Sequence, residues 1–202
     1  MSATHIITYD DMPDEAWRRL ERAADDPAHP MRLLVAATVD GQLKPAARTL
    51  VLRGASRLPP RLWFHTDARS CKVRQIQEHP GLCAVAYDHR DGVQLRIDGE
   101  VTVHVDDRVT DAHWAQVDLA IRYAYATSAP PGAPVTTTAE ADPRTLMLRH
   151  RHDEGRAELG RAHFAVLEVN VATIEWFQST TSQQCRAILR ADSNWTPMPL
   201  TP

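Results

Sequence analysis

Apolar and polar residues alternate along much of the chain between residues 31 and 105, which is the pattern of strands with one buried face. Met31 to Val39 and Gln42 to Arg53 are two such runs, and Asp40-Gly41 between them is typical of a two-residue hairpin turn. Three further strands are predicted at Leu62 to His65, Cys83 to Asp88 and Val93 to Val105. Because the strands are joined mainly by tight turns, the pattern favours an antiparallel barrel over alternating strand and helix units.

Helical spacing of apolar residues occurs in two longer parts of the chain. Residues 11–15 supply a cap candidate, a proline and acids, and they predict a helix over about residues 14–24. A second helix is predicted from Asp107 to about Thr127, where a proline-rich segment ends it. One short helix is also expected between Ser70 and Pro80.

The C-terminal third returns to the strand pattern. Phe164 to Val171 and Cys185 to Arg190 predict strands, and a turn at residues 192–194 predicts a last short strand through Trp195. Residues 136–160 are polar and charged, so we expect either a mobile excursion over the active site or a surface loop. We therefore predict one α+β domain over residues 1–202, mainly β with flanking helices and a helix-plus-loop excursion at about residues 107–160.

Composition and charge narrow the class of protein. A chain of 202 residues with 43% apolar residues fits one globular domain, and a net charge of −3 provides no basic field for nucleic acid. No apolar stretch approaches membrane-spanning length, and the N-terminus lacks the pattern of a signal peptide. The three scattered cysteines favour a reduced, cytoplasmic setting. His150, His152 and His163 lack metal-ligand spacing, so we expect exposed histidines and no metal site.

One short stretch carries the most specific chemistry. Thr66, Ser70 and Lys72 follow a strand and lead into a helix, where backbone N–H groups, two hydroxyls and an ammonium converge. Such a set suits a phosphate group, although a Ser-capped surface helix with a solvated lysine would show the same residues. The absence of a Gly-rich loop excludes a P-loop and a dinucleotide fingerprint. We expect the neighbouring Cys71 to be a small buried residue and not a reactive thiol.

Several motifs occur together in a recognisable order. They are Arg48 to Arg53, Phe64 to Lys72 and Gln94 to Gly99, followed by residues 174–178, by Arg186 and by the closing residues 195–202. This series resembles the pyridoxamine 5'-phosphate oxidase-like family of flavin-binding split β-barrels. The resemblance implies an antiparallel split barrel that binds FMN, and a homodimer with FMN at the interface.

The resemblance also implies roles for individual residues. The positions that contact FMN in the family fall on Arg48, Thr49, Leu50, Val51, His65, Thr66, Ser70, Cys71, Lys72, Gln94, Trp176, Phe177 and Arg186. One member of the aromatic pair packs near the cofactor in this family, and the glutamine contacts the flavin ring. The substrate-binding positions fall on Arg53, Ser182 and Gln184.

The chain departs from the family pattern at two anion-binding positions. The phosphate-binding motif of the family usually contains Ser-Arg-Lys, whereas this chain has Cys71 at the middle position. Arg69 and Arg74 are the candidates to replace the missing arginine. Authentic pyridoxamine phosphate oxidases carry an Arg-x-His pair where this chain has Ser182 and Gln184. The substrate phosphate would lose its strongest partner there.

The resemblance, together with these two departures from it, implies an FMN-dependent oxidoreductase related to pyridoxamine 5'-phosphate oxidase. It would transfer a hydride to flavin N5 from a small substrate other than, or in addition to, a vitamin B6 phosphate. The alternatives are a non-catalytic flavin-binding protein, an authentic pyridoxamine or pyridoxine phosphate oxidase with an altered substrate grip, and a haem-binding split barrel. In a haem protein, one of the three histidines named above would have to reach the iron.

Overall fold

The computed structural model describes residues 7–134, 154–181 and 184–202. Eight strands form one mostly antiparallel sheet: β1 (Leu33–Val39), β2 (Pro45–Arg57), β3 (Pro60–Asp67), β4 (Gly81–Asp88), β5 (Val93–Val105), β6 (Phe164–Ser179), β7 (Gln184–Arg190) and β8 (Met198–Leu200). Their order is β3-β2-β1-β4-β5-β6-β7-β8, and β3 also pairs with β6. This additional pairing closes the six strands from β3 to β6 into a barrel, which confirms the predicted split-barrel fold.

The described residues also contain five α-helices: α1 (Met12–Asp25), α2 (Cys71–Glu78), α3 (Arg108–Trp114), α4 (Leu119–Arg122) and α5 (Glu154–Glu158). Helix α1 has Pro13 in its first turn, followed by two acidic residues that complement the positive end of the helix dipole. Its apolar face, which includes Trp17 and Leu20, is fully buried. The helix predicted over residues 14–24 is therefore confirmed.

The chain divides into two compact units by its internal contacts. The first unit contains Met1–Phe64, Glu78–Thr102 and Glu168–Pro202, and the second contains His65–Gln77 and Val103–Leu167. The large fully buried side chains of the first unit include Trp17, Leu34, Leu52, Leu62, Leu95 and Trp176, and those of the second include Tyr123 and Phe164. Each unit therefore has its own apolar core, and the assignment of residues 1–202 to one domain stays a prediction.

Alternation along the strands of the first unit gives its sheet an inner and an outer face. On β5, the side chains of Val93, Leu95 and Ile97 are buried, and Gln94 and Arg96 lie between them on the opposite face. The polar residues of the predicted flavin motif on β5 are therefore on the outer face.

The connection between β1 and β2 differs from the predicted two-residue turn. The loop covers residues 40–44, and the Asp40 carboxylate accepts hydrogen bonds from two backbone N–H groups within it, both at 2.9 Å. Leu43 adopts the positive φ of 60°, and Gly41 does not. The prediction was wrong because the aspartate side chain organises a wider turn than the Asp-Gly pair alone indicates.

The prediction of one continuous helix over residues 107–127 was also wrong. Helices α3 and α4 are separated by residues 115–118. The Arg122 side chain donates to the carbonyl oxygens of Trp114 at 2.9 Å and Val117 at 3.0 Å. These contacts satisfy carbonyls at the break, and so replace part of the hydrogen bonding that a further helical turn would supply.

The last strand lies further along the chain than predicted. Asn194 and Trp195 have positive φ angles of 52° and 63°, which an extended strand does not allow. The final strand therefore begins only at Met198. Strand β6, by contrast, starts at Phe164 as predicted but continues beyond the predicted end to Ser179.

Candidate functional site

Three polar side chains meet where β3 ends and α2 begins, in the second unit. Thr66 and Ser70 are buried, with their hydroxyl oxygens 3.5 Å apart, and Lys72 Nζ donates to Thr66 Oγ1 at 2.9 Å. We call these three residues the hydroxyl–lysine cluster. The structure brings together the side chains that the sequence indicates for a phosphate. An ammonium and two hydroxyls can all donate to phosphate oxygens.

Two arginines next to this cluster, Arg69 and Arg74, are the candidates to replace the arginine of the family's Ser-Arg-Lys pattern. Cys71 is exposed at the first position of α2, so the expectation of a buried cysteine was wrong. Arg74 Nη2 lies 3.5 Å from Cys71 Sγ. Arg69 instead binds the Asp67 carboxylate at 2.7 Å and donates to the Thr127 carbonyl at 3.0 Å, so it fastens its own loop. Arg69 is therefore engaged within its own loop, and a phosphate contact by Arg74 stays a prediction.

His65 precedes the cluster by one residue and belongs to a group of aromatic rings in the second unit. Its Nε2 lies 3.0 Å from His113 Nδ1, and its ring packs edge-on against Phe164 with centroids 4.9 Å apart. Trp114 and Tyr125 also pack against Phe164. His113 was missed from the sequence because the two histidines are 48 residues apart, and no local pattern links them.

The other histidines of interest do not form a metal site within the described residues. His163 Nδ1 lies 2.8 Å from the Tyr125 carbonyl oxygen, and the His163 carbonyl accepts from the Ala68 N–H at 2.7 Å. His163 therefore links the loop before α2 to a neighbouring segment of the same unit. His150 and His152 lie outside the described residues. Over residues 7–134, 154–181 and 184–202, no three potential metal ligands cluster.

The first unit contains the predicted flavin residues of β2, which are divided between two faces. Arg48 donates to Thr38 Oγ1 at 2.7 Å, and Leu50 is buried on the same face. Thr49 and Val51 lie on the opposite face, with Thr49 exposed. The four consecutive residues therefore present their side chains on two faces of the strand, and their contact with FMN stays a prediction.

The predicted substrate residues are placed as follows. Arg53 is half-buried at a point where the β2–β3 register shifts between Leu52 and Gly54. A bulge of this kind re-aims the side chain of the extra residue. Gln184 is exposed at the start of β7, where its amide donates to the last residue of β6 at 3.2 Å. Ser182 lies outside the described residues.

The outer face of the first unit brings together predicted flavin residues from three neighbouring strands. Gln94 and Arg96 are alternate residues of β5, and Arg96 Nη2 binds Glu175 Oε2 at 2.9 Å. Phe177 is two residues from Glu175 on β6 and pairs directly with Arg186 on β7. Gln94, Phe177 and Arg186 therefore lie on one face.

Trp176 is placed differently from its neighbour in the predicted aromatic pair. It is fully buried on the inner face, and the Arg19 guanidinium carbon lies 5.6 Å from its ring centroid. Trp176 also lines a cavity of about 390 Å³ together with residues of α1, Asp91 and Gln178. Phe177 is therefore the member of the pair that the outer face presents.

Cys83 also lies on the outer face, where it pairs with Asp98 across β4 and β5. Burial, together with a hydrogen bond to the Asp98 carboxylate, raises the pKa of the Cys83 thiol to about 11. The thiol therefore stays protonated at neutral pH and is not a nucleophile there.

Each unit, taken by itself, contains side chains that suit one chemical group of FMN. The hydroxyl–lysine cluster offers an ammonium and buried hydroxyls, which suit a phosphate. The Gln94 amide has no hydrogen-bond partner among the described residues, so it can both donate to and accept from a flavin ring edge. Phe177 supplies an aromatic surface on the same face as Gln94.

One protein-family model matches part of the chain. Residues 14–105 match the family model described as pyridoxamine 5'-phosphate oxidase, FMN-binding domain. No curated protein matches the chain by sequence.

Several solved structures share the fold. A pyridoxamine 5'-phosphate oxidase-related, FMN-binding protein from Nostoc punctiforme superposes with a TM-score of 0.69 at 22% identity, covering 99% of this chain and 100% of that one. PhzG from Burkholderia lata, solved with tetrahydrophenazine-1-carboxylic acid, gives a TM-score of 0.74 at 18% identity and 98% coverage of both chains. A protein of the pyridoxine phosphate oxidase family from Clostridium acetobutylicum gives 0.57 at 10% identity, covering 94% of this chain and 100% of that one. At these identities the likeness shows the fold alone.

Proposed function

We propose that the chain is a divergent member of the pyridoxamine 5'-phosphate oxidase-like family, since residues 14–105 match the FMN-binding domain of that family. On this basis we propose that it binds FMN and acts as an FMN-dependent oxidoreductase on a small substrate. The observation that carries the proposal is the hydroxyl–lysine cluster, in which Lys72 Nζ lies 2.9 Å from Thr66 Oγ1 beside the buried hydroxyl of Ser70. FMN, when bound, supplies a hydride acceptor at its N5 atom.

The protein's own residues would bind and orient the cofactor. Lys72 and the two hydroxyls would hold the phosphate, because each donates to an anionic oxygen. Gln94 would contact the polar edge of the ring through an amide that both donates and accepts. Phe177 would pack against the ring with its aromatic face.

We further propose that the substrate is not a vitamin B6 phosphate. A dianionic phosphate needs cationic partners, and Ser182 and Gln184 are neutral where authentic enzymes carry Arg-x-His. Arg53 retains one positive charge at a substrate position, and the β2 bulge re-aims its side chain. This combination suits a substrate with at most one negative charge at that end.

We also propose a homodimer with FMN at the interface. The outer face of β1 and β4 exposes apolar side chains: Leu33 is 58% exposed, Val35 51% and Tyr87 53%. Val35 pairs directly with Val85, so these residues form a continuous apolar surface. Such a surface is a typical site of protein association.

The dimer proposal predicts that a charge on this surface produces monomers. Val35→Glu should shift the mass measured by light scattering from two chains to one, since a buried unpaired carboxylate opposes association. Leu58→Glu is the control, because Leu58 is 84% exposed in the β2–β3 turn. A wild-type protein that is monomeric while saturated with FMN would refute the proposal.

The experiment that tests the proposed function begins with an absorbance spectrum of the purified protein and titration with FMN. Anaerobic addition of pyridoxamine 5'-phosphate to the FMN-loaded protein then tests the substrate. We expect a flavin band that this compound does not bleach. Bleaching would contradict the proposed change of substrate, and a Soret band or a lack of FMN affinity would contradict the function itself.

We propose a cytoplasmic location as well. No helix in the described part of the chain is both long and apolar enough to cross a membrane. Cys71, Cys83 and Cys185 are free thiols, which persist in reducing compartments.

A further inference from the structure

Glu175 is a buried carboxylate held between two arginines from neighbouring strands. It is 6% exposed on β6. Its Oε2 accepts from Arg96 Nη2 of β5 at 2.9 Å, and its Oε1 accepts from Arg186 of β7 at 2.6 Å (Nη2) and 2.8 Å (Nε). All three residues belong to the outer face of the first unit. The sequence motifs gave no role to this carboxylate.

These contacts determine where the Arg186 guanidinium lies. Two donors on one carboxylate oxygen restrict the guanidinium plane more than a single contact would. The carboxylate in turn loses hydration on burial, and the two cations offset that cost only when both stay in place. Glu175 therefore fixes the position of Arg186, and Arg96 is held by the same carboxylate.

The charges of this group are closely balanced. Asp98 adds a second carboxylate, 3.6 Å from Arg96 Nε, and its Oδ2 also accepts from Thr173 Oγ1 at 3.2 Å. Two guanidinium groups therefore face two carboxylates on this part of the sheet. Removal of one negative or one positive charge alters the local field in opposite directions.

We propose that Glu175 is a positioning residue of the flavin site, which orients Arg186 and sets the net charge beside the bound cofactor. This inference rests on the proposed function, because Arg186 and Gln94 of the same face are the predicted FMN contacts. Two-electron reduced flavin carries more negative charge than oxidised flavin near neutral pH. A local excess of positive charge therefore stabilises the reduced form and raises the midpoint potential.

The test measures the midpoint potential of bound FMN by equilibrium reduction against a reference dye. Glu175→Gln, which removes the charge and keeps the shape, should favour reduced flavin by about tenfold, which is about +30 mV for a two-electron couple. It should also weaken FMN binding by roughly tenfold, since Arg186 loses the charged partner that orients it. Arg96→Gln should move the potential by a similar amount in the negative direction.

Two variants serve as controls. Glu168→Gln removes another carboxylate of β6 that is 8% exposed, but this one contacts Arg61 at 3.1 Å and Trp63 at 2.9 Å. It should leave the potential unchanged. Glu175→Asp retains the charge, so its potential should stay near the wild-type value even if FMN affinity falls.

The outcomes separate this inference from the proposed function. Wild-type protein that binds no FMN overturns both. Two results would overturn the inference and leave the function intact, provided that the wild-type protein binds FMN. In the first, the potentials of Glu175→Gln and Arg96→Gln shift no more than that of Glu168→Gln. In the second, the potentials of Glu175→Gln and Arg96→Gln shift in the same direction. A general loss of folding cannot produce opposite signs. If Glu175→Gln does not fold, Arg96→Gln and Glu175→Asp still test the charge effect.

Discussion

Removal of the Lys72 ammonium is the most direct perturbation of the proposed phosphate site. Lys72 Nζ lies 2.9 Å from Thr66 Oγ1, so an oxygen of a bound phosphate would be within reach of both groups. A hydrogen bond to a charged group contributes about 1.5 to 3 kcal/mol. At about 1.4 kcal/mol for each factor of ten, Lys72→Ala should weaken FMN binding by roughly 10- to 150-fold.

The assay is a fluorescence titration with two flavins. Riboflavin has the same ring as FMN but no phosphate, so Lys72→Ala should reduce affinity for FMN and leave riboflavin affinity nearly unchanged. Lys44 is the only other lysine in the sequence and lies exposed in the β1–β2 loop, which makes Lys44→Ala a matched control. Lys72→Arg should retain part of the affinity because the charge remains.

Two results would refute this reasoning. Unchanged FMN affinity in Lys72→Ala would place the phosphate elsewhere. An equal loss of affinity for FMN and riboflavin would show that Lys72 supports the fold and does not bind the phosphate.

Two further predictions concern backbone geometry and thiol chemistry. Gly92→Ala should lower the free energy of unfolding in urea by about 2 kcal/mol or more, because Gly92 has φ of +68° and an added Cβ would lie 2.1 Å from the Ser179 carbonyl oxygen. Gly81→Ala is the control. It should have a much smaller effect, since no atom lies within 4 Å of the Cβ added there. Iodoacetamide should modify the exposed Cys71 before Cys83. The rate of Cys83 modification should rise about tenfold per pH unit until the pH approaches the Cys83 pKa of about 11. Fast, pH-independent modification of Cys83, measured by mass spectrometry, would contradict that pKa.

Local sequence patterns predicted most of the sheet. Strand β5 was predicted from Val93 to Val105 and is observed with those bounds, since alternation of buried and outward side chains is a property of a single strand. Turns were less predictable. The Asp40 side chain determines the β1–β2 loop, and the Arg122 side chain the break between α3 and α4, through hydrogen bonds that residue types alone do not specify.

The sequence by itself determined the hydroxyl–lysine cluster, because Thr66, Ser70 and Lys72 lie within one strand-to-helix connection and the local backbone brings them together. Only the tertiary structure decided which side chains meet across the sheet. Glu175 binds Arg96 and Arg186 because the registers of three strands align them, and no periodicity in one segment encodes the register of another. Trp176 and Phe177 are separated for a different reason. Adjacent residues of a strand point to opposite faces, and only the packed fold shows which face is buried.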